Sequence, residues 1–317
     1  MKPRATCWIL TPGLAAFRKQ TAGIAQALDL CYEEKILKRP KPWCWLPKIC
    51  SCYVKIPAPP WPDLVISCGA SMIPFALAIR KASAHATKLI HLLNPHLPHR
   101  YFDVIIAPEH DRVSGVNVIN TFGAIHDLTD EKLKQACDEF KPIFSAYPGP
   151  YLSIFIGGST KKYTLTTARI AEFADTLIAL AQHYKGTVLI SASRRTGVEH
   201  INYLQQRFNA IKNIYFYAFH GANPYNALLA LADTIMVTED SISMISETLF
   251  TGKPVYLLKL PAYPQNKKHQ RFIQAAIQRT YVRYFTGNLE HWSYPRLDEA
   301  TRISRQLKEL LYRDTHE

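Results

Sequence analysis

Residues Thr234–Leu258 read TIMVT-EDSISMISETLF-TGK-PVYLL. TIMVT is a short apolar run without alternation, as in a parallel strand covered on both faces. Ser241–Phe250 follows with helical spacing and an Asp or Ser at its start. Pro254–Leu258 is a second apolar run. A strand, a helix and a strand in about 25 residues make a βαβ unit, which needs a right-handed crossover and a parallel sheet.

The same alternation extends in both directions. Upstream, Leu152–Ile156, Thr187–Ser191 and Ile214–Tyr217 read as strands, with helices expected over Leu165–His183, Val198–Phe208 and Asn223–Ala232. Downstream, helices are expected over Gln265–Arg279 and Leu297–Tyr312. In the first half, Thr6–Thr11, Leu64–Ser67, Lys88–Leu92 and Asp103–Ala107 read as strands, and Lys19–Leu28 and Ser71–Lys81 as helices. Lys141–Pro150 (KPIFSAYPGP) holds three prolines and a glycine, so no helix or central strand is expected to cross it. The predicted fold class is α/β, with two Rossmann-like doubly wound parallel-sheet domains facing a cleft. The predicted domains are residues 1–145 and 146–317, with the last helix available to return to the first domain. A chain of 317 residues suits two domains, because single cores stop growing beyond roughly 250–300 residues.

Composition limits the function classes. At 48% hydrophobic and 20% charged residues the chain is globular rather than disordered. The net charge of +13 points to an acidic partner: a phosphate-bearing small molecule, an anionic membrane surface or nucleic acid. No nucleic-acid motif accompanies the charge, so that partner is disfavoured. MKPRATCWILTPGLAAF imitates a signal peptide, but Pro12–Gly13 interrupts it and it reads as a buried first strand. Seven scattered cysteines suit a reducing compartment, so a cytoplasmic location is expected. Lys38–Asp63 carries three Trp and seven Pro. Trp43, Trp45 and Trp61, interleaved with lysines, suit the inner face of a membrane, or else form a connecting loop that packs back on the domain.

Ligands of open α/β sheets bind at the carboxyl ends of the strands. Gly157–Gly158–Ser159 follows one strand and lets backbone approach a phosphate. Ser193–Arg194–Arg195–Thr196 follows the next, bringing two guanidinium forks suited to a diphosphate. Asp240 or Ser241 can cap a helix whose amides attract anions. Ser243 and Glu247 share a face of that helix, and the Glu247 carboxylate suits the two hydroxyls of a ribose. Glu109–His110–Asp111 follows a strand in the first half and can supply a general base near neutral pH; a polar turn reads the same way. Gly13–Gln20 and Gly69–Ser71 are expected to line the cleft from the first domain. Neither G-x-G-x-x-G nor a P-loop is present, and no D-x-D, H-E-x-x-H or G-x-S-x-G, so metal-dependent and serine-hydrolase chemistry has no support here.

These blocks together resemble the mitochondrial fission ELM family of plants and its bacterial relatives. The likeness runs through W-I-L-T-P-G…Q-T-A-G-I-A-Q-A-L at Trp8–Leu28, F-D-V-I-I-A-P-E-H-D at Phe102–Asp111 and I-G-G-S at Ile156–Ser159. It continues through S-R-R-T at Ser193–Thr196, N-P-Y at Asn223–Tyr225 and V-T-E-D-S-I-S-M-I-S-E…T-G-K-P-V-Y at Val237–Tyr256. The resemblance implies a GT-B glycosyltransferase-like fold with the donor nucleotide on the C-terminal domain. It places Asn223, Tyr225 and Met244 at that site beside Glu247, which would contact the ribose. It also implies a metal-independent transfer from a nucleotide-sugar, used as substrate without a cofactor, to a membrane or envelope acceptor. The alternative is a non-catalytic, membrane-associated scaffold that keeps the fold, since plant members are associated with recruiting fission machinery. Relatives carry D-G-x-x-G-H-x-x-Q after the first strand; here Pro12–Gln20 keeps Gly13 and Gln20 but has no His.

Overall fold

A computed structural model describes residues 5–39, 53–261 and 267–312. The chain forms two compact units. The first holds the residues up to Asp127 together with those from Asp298 onward, and the second holds Leu128–Leu297. The boundary therefore lies at Asp127–Leu128, ahead of the expected one at 145/146.

The first unit is built on β1 (Cys7–Thr11), β2 (Tyr32–Ile36), β3 (Leu64–Cys68), β4 (Lys88–Leu92), β5 (Val104–Pro108) and β6 (Val118–Thr121). These make one parallel sheet in the order β2-β1-β3-β4-β5-β6. Its helices are α1 (Ala15–Ala27), α2 (Ile73–Ala82) and α9 (Glu299–Tyr312). One face packs Ile24 and Ala25 of α1 and Ile303, Leu307 and Leu311 of α9. The other packs Ile73, Phe75, Ala76 and Ile79 of α2 with Trp8, Leu10 and Val65. Every residue of β1, β3 and β5 is buried, which is why these strands read as continuous apolar runs. Glu299 fixes the start of α9 by accepting the Phe122 N–H at 2.8 Å.

The second unit holds α3 (Asp130–Phe144), β7 (Tyr151–Ile156), α4 (Thr167–His183), β8 (Thr187–Ala192), α5 (Val198–Phe208), β9 (Ile214–Tyr217), α6 (Tyr225–Leu231), β10 (Thr234–Thr238), α7 (Ile242–Leu249), β11 (Val255–Leu258), α8 (Lys267–Gln278) and β12 (Val282–Tyr284). Its parallel sheet runs β12-β11-β10-β7-β8-β9. No helix crosses Lys141–Pro150: α3 enters it with Pro142 in its last turn and ends at Phe144. Pro142 is exposed, so water can reach the carbonyl that loses its partner. The Phe144 and Tyr147 rings meet Tyr215 of β9 edge-on at 5.1 and 5.6 Å, which ties this segment to the second unit.

Aspartates fasten the amino ends of both sheets. Asp63, Asp103 and Asp233 each stand just before a strand, and each accepts an N–H at the start of a neighbouring one: Thr6, Leu89 and Tyr151, all at 2.7 Å. The carboxyl ends carry the glycines and the candidate site residues.

Candidate functional site

In the second sheet the chain runs from β7 outward through β8 and β9, then returns to the other side of β7 as β10. The crevice of a doubly wound sheet opens where the strand order reverses, here between the carboxyl ends of β7 and β10. Gly157 and Gly158 follow β7, and Glu239, Asp240 and Ser241 follow β10.

Asp240 organises this point. Its side chain is 0% exposed. Its Oδ2 accepts from the Gly158 N–H at 3.2 Å and from Arg195 Nη2 at 2.7 Å, and its Oδ1 accepts from the Thr238 hydroxyl at 2.6 Å. Thr238 Oγ1 in turn accepts the Gly157 N–H at 2.7 Å. Thr196 donates to the Gly157 carbonyl at 2.5 Å. The glycines are required by packing: a Cβ on Gly157 would lie 2.0 Å from Asp240 Oδ1, and one on Gly158 would lie 2.0 Å from the Arg195 carbonyl. Both glycine amides thus face inward, to Thr238 and Asp240, and neither is offered to a phosphate.

Several other expected ligand groups are also spent within the protein. The Ser159 hydroxyl accepts the Leu165 N–H at 3.0 Å. Ser193 forms a reciprocal cap with Thr196 around the 3₁₀ turn Arg194–Thr196. Asn223 Oδ1 accepts the Tyr225 N–H at 3.1 Å and starts α6. Ser241 caps α7 by accepting the Met244 N–H at 3.3 Å.

What faces outward is narrower. Arg194 is exposed, and the Arg195 side chain keeps 44% of its surface while paired with Asp240. Ile242, Ser243 and Met244 are half-buried in the first turn of α7, which itself holds no acidic residue. One turn on, Glu247 is only 4% exposed. The Tyr225 hydroxyl donates to its Oε2 at 2.5 Å. Tyr225 keeps part of its surface in solvent, but its hydroxyl end is enclosed; burial, then the Glu247 charge, push the phenol well above its usual 10.0.

The roles of four residues escaped the sequence reading. Glu239 is buried, accepting the Leu260 N–H at 2.9 Å and the Tyr284 hydroxyl at 2.7 Å. Thr238 at the end of β10 and Thr196 in the 3₁₀ turn after β8 hold the glycine turn. Phe219, beyond the carboxyl end of β9, is 38% exposed at φ 63°, a left-handed conformation that is costly for a bulky side chain. For Glu239, Thr238 and Thr196 the signals are non-local hydrogen bonds. Phe219 had a local cue in the Gly221 and Pro224 that follow.

In the first unit the order reverses between β1 and β3. Gly13 and Gly69 follow these strands at φ 84° and 81°, and the Phe17 ring covers Gly69. Gln20 is 7% exposed inside α1 and donates to the Ala16 carbonyl. Glu109, His110 and Asp111 form a 3₁₀ turn at the end of β5, with Glu109 exposed and the other two half-buried. Trp61 packs edge-on against Trp8 with ring centroids 6.1 Å apart, as a loop packed back on its domain does. Trp43 and Trp45 lie outside the described residues. Among the described residues, no helix is long and apolar enough to cross a membrane, and no group of three or more His, Cys, Asp or Glu side chains is placed to hold a metal ion.

The sequence pattern of the family described as Mitochondrial fission ELM1 matches residues 15–311. The chain belongs to this family. The ELM1 family members it resembles include the Mitochondrial fission protein ELM1 of Arabidopsis thaliana, 28% identical over 276 residues. That alignment takes in 78% of this chain and 64% of the plant protein, so the chain spans less than two thirds of that relative. An uncharacterised Rickettsia prowazekii protein is 28% identical over 284 residues, with 78% of this chain and 79% of that one covered. Among solved structures, the UDP-GlcNAc 2-epimerase of Methanocaldococcus jannaschii superposes with a TM-score of 0.55 at 13% identity over 96% of this chain and 99% of its own. The Neisseria meningitidis UDP-GlcNAc 2-epimerase bound to UDP-GlcNAc gives 0.53 at 14% identity over 98% and 99%. Acinetobacter baumannii MurG gives 0.51 at 10% over 98% and 100%. At these identities the likeness is one of fold: this ELM1 family chain has the GT-B-like pair of Rossmann-like units.

Proposed function

We propose that the second unit binds a nucleotide-sugar at the β7–β10 reversal and that the protein transfers the sugar to a membrane or envelope acceptor without a metal ion. The observation that carries this reading is the grouping at one strand-order reversal of two outward guanidinium groups, an open helix N-terminus and the buried Glu247 carboxylate one turn along the same helix. Arg194, Arg195 and the Ile242 and Ser243 amides suit a diphosphate. Glu247, steadied by Tyr225, suits a ribose diol. The solved UDP-GlcNAc complex of the Neisseria epimerase makes nucleotide-sugars the ligands to try first. His110, flanked by Glu109 and Asp111, is assigned to deprotonate the acceptor. The net charge of +13 supports an acceptor on an anionic surface.

A thermal-shift titration against nucleotides and nucleotide-sugars, with phosphate as control, tests the reading. A ligand at ~100 times its dissociation constant stabilises the fold by roughly 2.7 kcal/mol. Glu247→Ala should weaken that ligand, and His110→Ala should slow turnover while leaving its affinity unchanged. No shift with any nucleotide or nucleotide-sugar sinks the proposal and favours the scaffold alternative. For that alternative, the measurement is liposome flotation of the intact protein with and without Trp43 and Trp45. Conversion of the sugar in the absence of any acceptor would replace transfer by isomerisation at the same site.

A further inference from the structure

The Asp240 carboxylate is an unexpected group to find at a site for anions. It is fully enclosed, lies immediately before the N-cap of α7, and is held by Gly158, Thr238 and Arg195. A buried negative charge beside a diphosphate site repels the ligand. Its ion pair with Arg195 also cancels one of the two guanidinium charges on which the site depends. Merely shaping the turn would not require the charge. An amide in the same place could accept the Gly158 and Arg195 donors through its oxygen and donate to Thr238 Oγ1, which has a second lone pair besides the one taken by Gly157.

We propose that Asp240 is a specificity-determining residue whose buried charge, acting through Arg195, tunes the site to the two charges of an intact nucleotide-sugar and against the third charge of the free nucleoside diphosphate. The inference rests on the nucleotide-sugar reading above. The diphosphate of a nucleotide-sugar is substituted at both ends and carries two negative charges. Removing the sugar leaves a terminal phosphate whose second ionisation lies near pH 6, so the free diphosphate carries about one more charge at neutral pH. With Arg195 neutralised by Asp240, Arg194 and the dipole of α7 are what remains to meet the ligand. The third charge then gains little and feels the Asp240 carboxylate most. A transferase built this way lets its nucleotide product go.

One unit charge about 10 Å away, at an effective dielectric of roughly 20–40, changes an equilibrium about 4- to 16-fold. The experiment measures dissociation constants of UDP-N-acetylglucosamine and UDP for the full chain by calorimetry at pH 7.5. The protein is studied unaltered, as Asp240→Asn and as Arg195→Gln. In Asp240→Asn the ratio of the UDP constant to the UDP-N-acetylglucosamine constant should fall about 4- to 16-fold; in Arg195→Gln it should rise. Both changes should shrink as salt is raised from 20 to 500 mM. A residue that only shapes the turn would weaken both ligands alike. A ratio within twofold of the unaltered protein in both variants overturns the proposal. If Asp240→Asn does not fold, the exposed Arg195 decides: an unchanged ratio there overturns the proposal just as well. If the unaltered protein binds neither probe, the nucleotide-sugar reading itself has failed, a different outcome from binding with an unmoved ratio.

Discussion

Replacing Gly157 by alanine should be among the most damaging single-methyl additions in the second unit. The new Cβ would stand 2.0 Å from Asp240 Oδ1 and 2.3 Å from Oδ2, where carbon and oxygen normally keep more than 3 Å apart. Either the backbone after β7 shifts or the carboxylate retreats. A backbone shift in a packed core costs about 1–3 kcal/mol. A retreat of the carboxylate loosens the bonds from Thr238 at 2.6 Å and Arg195 at 2.7 Å and disturbs an enclosed charge, for which about 3–5 kcal/mol is typical. The expected loss is therefore about 1–5 kcal/mol, against a total of about 5–15 for a typical domain. Urea titration followed by far-ultraviolet circular dichroism reads it, with midpoint and slope both recorded because two units need not unfold together. The decisive comparison is the same alanine in an Asp240→Ala background, where the atoms it would strike are gone and its added cost should fall below about 1 kcal/mol. A Gly157→Ala protein within about 0.5 kcal/mol of the unaltered one, or an equal cost in both backgrounds, would refute the packing argument.

Three further outcomes are expected. Asp233→Ala removes a charged acceptor from the Tyr151 N–H, held at 2.7 Å, and should cost about 1.5–3 kcal/mol in the same titration. A cost near zero would mean that the aspartates before the strands fasten nothing. Lys253 donates from its ammonium to the Leu229 and Ala230 carbonyls at the end of α6, and burial lowers its pKa from 10.5. Lys253→Met should therefore cost about 1–2 kcal/mol through the uncapped carbonyls, and an unchanged melting temperature would count against that role. Burial raises the Cys7 thiol from 9.0 to about 12 and also raises Cys68. Above pH 9 the unfolded chain releases these protons while the folded one keeps them, so stability should fall with rising pH by up to about 1.4 kcal/mol per unit for each thiol. Tyr284 and Tyr294, also raised by burial, join from about pH 10. Alanine at both cysteines should flatten the decline between pH 9 and 10; an unchanged slope there would refute the assignment.

The elements legible in the sequence are those that carry a continuous apolar run or a clear helical spacing. β4, β9 and β10 fall on the residues read from their apolar runs, and α5 on its helical spacing. What escaped has a physical cause. β2, with the sequence YEEKI, is an edge strand whose outward residues stay polar, Glu34 pairing with Arg18. β12 is a three-residue edge strand of the second sheet for which no apolar run is needed. α3 was obscured by Pro142, whose exposure near the helix end makes it tolerable. The location of the candidate site followed from the strand-end rule. The duties of its side chains did not, because they are set by partners far away in sequence: Gly157 on Thr238, Gly158 on Asp240, Arg195 on Asp240. Local spacing suggests that these groups are free, whereas the fold has already engaged most of them.

The return of α9 to the first unit bears on how the protein is made. Ile303, Leu307 and Leu311 complete one face of a sheet whose strands all precede residue 128. As the chain leaves the ribosome, the part of that face beside α1 that α9 covers waits exposed while the whole of the second unit is synthesised. The second unit is continuous in sequence and can close first. The half translated first is thus the last to be finished, and its bare apolar face is the surface on which a chaperone has most to do.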